Sequence, residues 1–399
     1  MADFSYMGTK RRLAGRIATI AADAPSGPFL DLFAGLSAVG AALAPTRSVW
    51  CNDMQYFSNA YTRSMFMAAK ALNIGDRIDR IHAAFESNLA ALSNEFAPLL
   101  SREWKAIHCG STAEFISTNN EIASAAPSFQ KKLRSAGVYC LFSTIHAGGY
   151  FGLRQSVEVD ALRYSFDECL NSGLIDQEEH NWLVLALCRA VHAASNSTGH
   201  FAQFLTPKPT NISRVLSKRK RSIWDQWYAA TEELRPHGRA SWRKKNKCFH
   251  RDANDLLVWL KSQSKVPAVI YADPPYTSDQ YSRYYHVLEN VVLYDYPEVS
   301  GRGQYRGDRF TSSFSIKTKV RDAFVTLVER ARELNASLIL SYPSNGLLDE
   351  PKETINALLK QNYGQVRDPL VIMHEHSTMG ASKGKQKHNV EELIFVAHC

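Results

Sequence analysis

One short stretch constrains this chain more than any other. In Val269-Ile270-Tyr271-Ala272-Asp273-Pro274-Pro275-Tyr276 a strand-forming, mostly apolar run meets a carboxylate, two consecutive prolines and an aromatic ring. Proline fixes φ and has no N–H to donate, so Pro274-Pro275 cannot extend a sheet and must hold a rigid, extended corner where the strand stops. The carboxyl ends of strands are where open α/β sheets place their ligands. An ionised Asp273 accepts hydrogen bonds without donating any, and the Pro274 carbonyl accepts as well, so the pair suits a planar amino group with N–H donors to offer. Tyr276 adds a face on which a planar ring can stack. The bland alternative is a strand-ending turn with an exposed Asp; carboxylate, double proline and aromatic arriving together on a strand weigh against it.

Asp-Pro-Pro-Tyr at 273–276 resembles the catalytic signature of the amino-methyltransferases that methylate adenine N6 in DNA. Other segments extend the resemblance. Tyr6-Met7-Gly8-Thr9-Lys10-Arg11-Arg12-Leu13 leads into a helical pattern through Ile17 and Ile20, and is similar to the N-terminal cofactor motif of Dam-like methyltransferases. That likeness implies Tyr6 and Lys10 beside the methionine part of S-adenosylmethionine, with Lys10 partnering its carboxylate. Phe29-Leu30-Asp31-Leu32-Phe33-Ala34-Gly35-Leu36-Ser37-Ala38-Val39-Gly40 reads as a strand, a glycine turn and the start of a helix, a shape that lets backbone N–H groups approach a ligand closely. It resembles the family's first cofactor motif, which makes Asp31, Phe33 and Gly35 cofactor-binding candidates. One departure stands out: the usual Gly-x-Gly is Gly35-Leu36-Ser37 here.

Asp53 ends a second short strand, Ser48-Val49-Trp50-Cys51-Asn52-Asp53, twenty-two residues after Asp31. An acid at that place in nucleoside-binding α/β folds accepts hydrogen bonds from ribose hydroxyls; a helix N-cap is the compatible alternative. Phe249 through Leu257 restarts the α/β pattern about twenty residues before Asp273 and resembles the family's third cofactor element. Its acid, which accepts the exocyclic amine of the S-adenosylmethionine adenine, matches Asp252, with capping of the helix near Asp255 as the alternative. Ser341-Tyr342 stands where the family often has Ser-Asn, and no catalytic role is carried onto it.

Charge is unevenly spread. Residues 201–251 hold thirteen Lys/Arg against three Asp/Glu, a net of +10 that exceeds the whole chain's +8. One region thus carries the entire excess, the footprint expected for a phosphate backbone. A charge run is usually only a solvated face, but concentration in one span favours phosphate contact. Lys218, Arg219, Lys220 and Arg221, then Lys244 and Lys245, are the DNA-binding candidates there. Arg154, in the turn-rich stretch 147–155, and Lys385, in the basic loop 376–387, join them. From about Tyr56 to Lys244 apolar residues recur at three- and four-residue spacing, the mark of helices.

At 399 residues the chain can hold one large domain with an insertion, or two domains. No apolar run approaches a membrane span, and Met1-Ala2-Asp3-Phe4 lacks the plan of a signal peptide, so a cytoplasmic protein without membrane contact is expected. Seven scattered cysteines with no Cys-x-x-Cys argue against a disulfide framework and a zinc site, and no metal is expected. The expected architecture is a Rossmann-like, doubly wound α/β sheet with a large, mostly helical insertion. The S-adenosylmethionine-dependent catalytic domain would be discontinuous, 1–55 and 245–399, with 56–244 as the helical insertion carrying the target-recognition region. The motif order is similar to the alpha group of the D12 class adenine methyltransferases. That resemblance implies methyl transfer to adenine N6 of a flipped-out base in double-stranded DNA, for restriction-modification or epigenetic marking. A cognate restriction endonuclease is then the expected functional partner, and a monomer the expected state. Cytosine N4 or RNA adenine methylation, or a DNA-binding regulator with a degenerate methyltransferase fold, are the alternatives.

Overall fold

The structure, a computed structural model, describes residue 6, residues 8–377 and residues 387–399, with side chains described up to 373 and from 391. Lys385 lies outside the described residues. The described chain gathers into two compact units. One comprises Tyr6–Lys70, Pro236–Tyr284 and Phe310–Cys399; the other comprises Ala71–Arg235 and Tyr285–Arg309.

The first unit is a mixed α/β body around a mostly parallel sheet. Its strands are β1 Phe29–Asp31, β2 Val49–Asn52, β3 Lys247–Phe249, β4 Val269–Ala272, β5 Ser337–Pro343, β6 Gln365–Val366, β7 Leu370–Ser377 and β8 Lys387–His398. The spatial order is β3-β2-β1-β4-β5-β8-β6, with β7 paired to β8. The first five of these strands run parallel, and β8 runs antiparallel to β5, β6 and β7. The chain winds outward from β1 through β2 to β3, then returns to the other side of β1 as β4. The seam between β1 and β4 is therefore the switch point of the sheet, where the connections leave a crevice at the carboxyl ends of the strands.

The core explains why these segments take these forms. β4 and β5 are buried at every position, as parallel strands covered on both faces must be. Helix Val320–Glu333 buries Val320, Ala323, Phe324, Leu327, Val328 and Ala331, an apolar stripe at three- and four-residue spacing. With Leu256, Leu257 and Leu260 of helix Ala253–Lys261, that stripe covers Leu30, Ile270, Leu338 and Leu340 of the sheet. The unit extends past residue 55 because helix Tyr56–Met67 belongs to it: Asn59 Nδ2 on this helix donates to the Phe249 carbonyl of β3 at 3.0 Å.

The second unit is helical. Helix Leu153–Asn171 is buried along most of its length, and helices Ile78–Glu95, Gln177–Ala194 and Ile223–Glu233 pack on it or its neighbours. Glu103, itself buried, caps its amino end by accepting from Leu153 N at 2.7 Å and Arg154 N at 2.9 Å, a placement that also suits the helix dipole. Residues 285–309, which follow the proline corner by some ten residues in sequence, return to this unit as the end of a helix and a small ribbon, Val299–Ser300 with Tyr305–Arg306.

Asn246 ties the sheet unit together. Its Oδ1 accepts from Val49 N at 2.9 Å and its Nδ2 donates to the Phe66 carbonyl at 2.8 Å, so it joins the start of β2 to the end of helix Tyr56–Met67. Asn246→Ala leaves a buried donor and a buried acceptor unpaired, at about 1–3 kcal/mol each. We expect a loss of about 2–4 kcal/mol in the denaturant-induced unfolding of this unit; a midpoint indistinguishable from wild type would show that the two backbone groups find other partners.

Candidate active site

The glycine turn after β1 is built by its neighbours. Leu32 N donates to the Tyr271 carbonyl at 2.9 Å and Ala34 N to the Asn52 carbonyl at 2.8 Å, so the strand is held between β4 and β2 until it turns. Gly35 has φ +50°, and a Cβ there would stand 2.6 Å from the ring of Tyr6; both facts require glycine. Asp53 fixes the turn from the end of β2: one carboxylate oxygen accepts from Gly35 N at 2.8 Å, the other from Gln55 N at 2.9 Å. Burial pushes its pKa up, against these two backbone donors.

The departure at Ser37 has a structural account. Its φ of 44° is left-handed, which costs a side-chain-bearing residue about 1–2 kcal/mol. The hydroxyl that glycine would lack donates to Asp31 Oδ2 at 2.7 Å and offsets that cost. Asp31 is buried at the end of β1, and burial raises its pKa to about 7, with the Ser37 bond opposing the rise and the nearby Asp273 adding to it.

At the end of β4, beside β1 in register, stands Asp273. Lys10 Nζ lies 3.1 Å from Asp273 Oδ1 and 2.9 Å from Glu392 Oε1, so one buried ammonium bridges two acids. These are ion-pair distances without the alignment of good hydrogen bonds, since neither Lys10 Nζ nor Asp273 Oδ1 finds a well-directed partner. Burial alone would lower the Lys10 pKa, but the two carboxylates outweigh it and hold the ammonium charged. For Asp273 burial raises the pKa, Lys10 pulls it back and Glu392 pushes it up, leaving it at about 7. Tyr276 is half-buried next to the Lys10 ammonium, 5.8 Å from its ring centre, and its carbonyl accepts from Leu347 N at 2.9 Å, which locks the corner in place. The sequence resemblance puts Lys10 beside a cofactor carboxylate; the structure pairs it with Asp273 and Glu392.

A cavity opens on these groups. Tyr6, Lys10, Asp31, Phe33, Gly35, Asp53, Asp252 and the whole run Asp273-Pro274-Pro275-Tyr276 line it, so the structure brings every expected cofactor and catalytic residue to one place. Asp252 also caps helix Ala253–Lys261, its Oδ1 accepting from Asn254 N at 2.9 Å, so the cap and a place on the cavity coexist. Sequence reasoning passed over Gln55, which lines the cavity too, and Glu392 beneath it; Tyr281, in the aromatic and basic run 280–286 that follows the corner, also lines it. Glu392 follows Glu391 and opens the apolar run Leu393-Ile394-Phe395-Val396-Ala397, and that acidic pair does not by itself say which glutamate turns inward.

The basic candidates differ in burial and in their partners. Arg219 is corrected outright: it is 1% exposed and its guanidinium donates to the Gly149 carbonyl at 2.9 Å, because on helix Ile212–Arg219 it shares the buried face with Val215, four residues earlier. Arg154 pairs with Glu158 and donates to the carbonyls of Arg219 and Arg221. Lys218 is half-buried and donates to the Ala193 carbonyl at 2.6 Å. Lys220 and Arg221 are exposed in the helical unit, and Lys244 and Lys245 are exposed in the sheet unit.

Comparison with known proteins gives the family. Residues 6–341 match the family model described as D12 class N6 adenine-specific DNA methyltransferase. Modification methylase StsI of Streptococcus sanguinis is 25% identical over 398 residues, 98% of this chain and 51% of its own length. Type II methyltransferase M.FokI of Planomicrobium okeanokoites is 28% identical over 337 residues, 84% of this chain and 43% of its own length. Modification methylase LlaI of Lactococcus lactis subsp. lactis is 25% identical over 396 residues, 98% and 54% respectively. The chain spans about half the length of these curated relatives.

Ser37 supplies a test of the turn. Ser37→Ala keeps the left-handed backbone and loses the bond to Asp31, at about 1.5–3 kcal/mol. Ser37→Gly loses the same bond but relieves about 1 kcal/mol of backbone strain, so it should unfold at higher denaturant than the alanine variant. Glycine equal to or below alanine would mean that the turn is not strained at this position.

Proposed function

Since this chain belongs to the D12 class N6 adenine-specific DNA methyltransferase family, we propose that it transfers a methyl group from S-adenosylmethionine to adenine N6 in double-stranded DNA. The observation that carries the proposal is Asp273, a carboxylate held at the end of a central strand on the same cavity as the glycine turn. The residues present fit the cofactor. Four acids of the lining, Asp31, Asp53, Asp252 and Asp273, face two cations, Lys10 and Arg251, which suits a ligand bearing sulfonium and ammonium charges. Asp53 would take the ribose hydroxyls and Asp252 the adenine amine, while Gly35 gives the backbone its close approach. When bound, the cofactor supplies an electrophilic methyl group.

The protein's own part is to present the nucleophile. A paired, stacked adenine cannot expose N6 to an enclosed pocket, so the base must leave the duplex. Asp273 and the Pro274 carbonyl accept the two amino hydrogens, and Tyr276 stacks on the ring. Accepting those hydrogens draws the nitrogen out of conjugation with the ring and frees its lone pair for attack. Positioning and electrostatics supply most of the rate, so small displacements of Asp273 are costly. The helical unit would carry target recognition, with its Lys220 and Arg221 as phosphate contacts, and Lys244 and Lys245 of the sheet unit would contact phosphates as well. The names of the relatives support a place in restriction-modification, with a restriction endonuclease as functional partner.

Incubating the protein with S-adenosylmethionine and mixed-sequence DNA, then digesting and weighing the nucleosides, tests the reading directly. N6-methyladenine is expected, and Asp273→Ala should abolish it while leaving most DNA affinity, which comes from phosphates. Methylcytosine alone, methylated RNA alone, or turnover by the variant within a few-fold of wild type would each refute it. The same carboxylate sets the pH dependence. Asp273 accepts only when ionised, and its folded pKa is raised to about 7, so kcat/KM should rise with pH through neutrality and be lost below it. A profile flat down to pH about 5 would mean that the acceptor titrates in the ordinary carboxylate range.

Holding DNA by its phosphates predicts a salt effect. For every phosphate left without its cation, the slope of log affinity against log salt on duplex DNA falls by about 0.9. Neutralising Lys220, Arg221, Lys244 and Lys245 together should lower that slope by about 3.6 for every sequence alike. Arg219→Met, with the side chain inside the protein, should leave it unchanged. An unaltered slope in the quadruple variant would place DNA elsewhere.

A further inference from the structure

Glu392 is a charge without a place in the mechanism so far. It is fully buried on β8, in a sheet position where an apolar residue would cost nothing to desolvate. Its Oε1 accepts from Ser341 Oγ on β5 and lies 2.9 Å from Lys10 Nζ, which in turn stands 3.1 Å from Asp273 Oδ1. Two elements that touch no ligand in the proposed reaction thus converge on the ammonium beside the reacting acid. An acid kept inside at such a cost, bonded from two sides and one step behind Asp273, has to be explained.

We propose that Glu392 is a positioning residue for methyl transfer: it shares the Lys10 ammonium, so that Asp273 is oriented by a cation without being neutralised by it. The proposal rests on the methyltransferase reading. With all three groups ionised, Lys10, Asp273 and Glu392 carry a net charge of −1, and Asp273 retains negative charge for the amino hydrogens of the target base. With Glu392 neutral, Lys10 and Asp273 collapse into a closed pair, and a carboxylate already spent on an ammonium is a poorer acceptor. Ser341 and Glu392 are thereby parts of one support, and the position where the family often carries Ser-Asn acquires a role behind the site.

The titration of Asp273 reports the arrangement. The groups facing it are Lys10 from the N-terminal segment, Glu392 from β8, Asp31 from β1, Tyr271 from its own strand and Tyr276 from the corner. Removing the like charge of Glu392 leaves Lys10 as the dominant neighbour, so Asp273 must ionise at lower pH. Glu392→Gln should therefore do two things that a mere packing defect would not combine: lower kcat by about 10- to 100-fold, and shift the acid limb of kcat/KM towards lower pH. Glu392→Asp, which keeps the charge, should keep the wild-type limb and recover part of kcat.

The experiment measures pH–rate profiles of wild type, Glu392→Gln and Glu392→Asp, with thermal unfolding to establish that each folds. Alongside, the Asp273 carboxyl is titrated by carbon-13 NMR, its signal identified by its loss in Asp273→Asn. Should wild type fail to methylate DNA, the methyltransferase reading falls, while the NMR titration still tests the charge cluster. A lower Asp273 midpoint in Glu392→Gln together with a slower kcat supports the proposal. An unchanged midpoint overturns it, and so does a shifted midpoint with wild-type kcat. If Glu392→Gln does not fold, the Glu392→Asp profile decides: a limb moved from the wild-type position overturns the proposal.

Discussion

Everything at the candidate site depends on the parallel pairing of β1 with β4. These two strands lie far apart in the chain, yet Asp31 stands in register with Tyr271 and Leu32 N closes the ladder on the Tyr271 carbonyl. Parallel pairing makes both strands end on the same edge of the sheet, so the turn after one and the proline corner after the other must open on a common space. Neither acid needs a loop to reach the other. Gly35 and Pro274-Pro275 are then complementary devices, one letting the backbone come close and the other preventing it from going further.

The electrostatics follow from the same seam. Asp31 and Asp273 both stand at strand ends, where burial raises each, and Asp273 raises Asp31 further, which would favour neutral acids at physiological pH. The answer of the fold is local and unequal. Asp31 receives a hydroxyl from Ser37, whereas Asp273 receives an ammonium. Hydrogen bonding holds the first and a formal charge holds the second, the stronger support being given to the carboxylate assigned to the reaction.

How much of this was legible follows from the range of each interaction. Asp273 to Tyr276, the glycine turn, Asp53 and Asp252 are local patterns in which the strand, the turn and the acid are neighbours in sequence, and all came to one cavity. Glu392 was not legible, because nothing near it in sequence says that Lys10 and Ser341 lie against it. Arg219 was misread for a different reason: in Lys218-Arg219-Lys220-Arg221 the charges are alike, and only the helix phase, with Val215 one turn earlier, turns Arg219 inward. The return of residues 285–309 to the helical unit carried no compositional mark either. Ser37 was legible as an oddity and became intelligible only with its backbone angle and its bond to Asp31.

The sheet unit is assembled from three separate stretches of chain, and this has a kinetic meaning. On the ribosome β1 and β2 emerge with neither of their outer neighbours, since β3 and β4 follow only after residues 71–235, the larger part of the helical unit, have been made. Until then β1 presents an unsatisfied apolar edge, the kind of surface that pairs wrongly with other chains. Lys10 must wait longer still, for β8 brings the second of its two counter-charges. The helices of residues 71–235 therefore have the opportunity to form first, the helical unit is completed only when residues 285–309 follow β4, and the site closes as a late, long-range event whose rate is governed by loop closure rather than by local propensity.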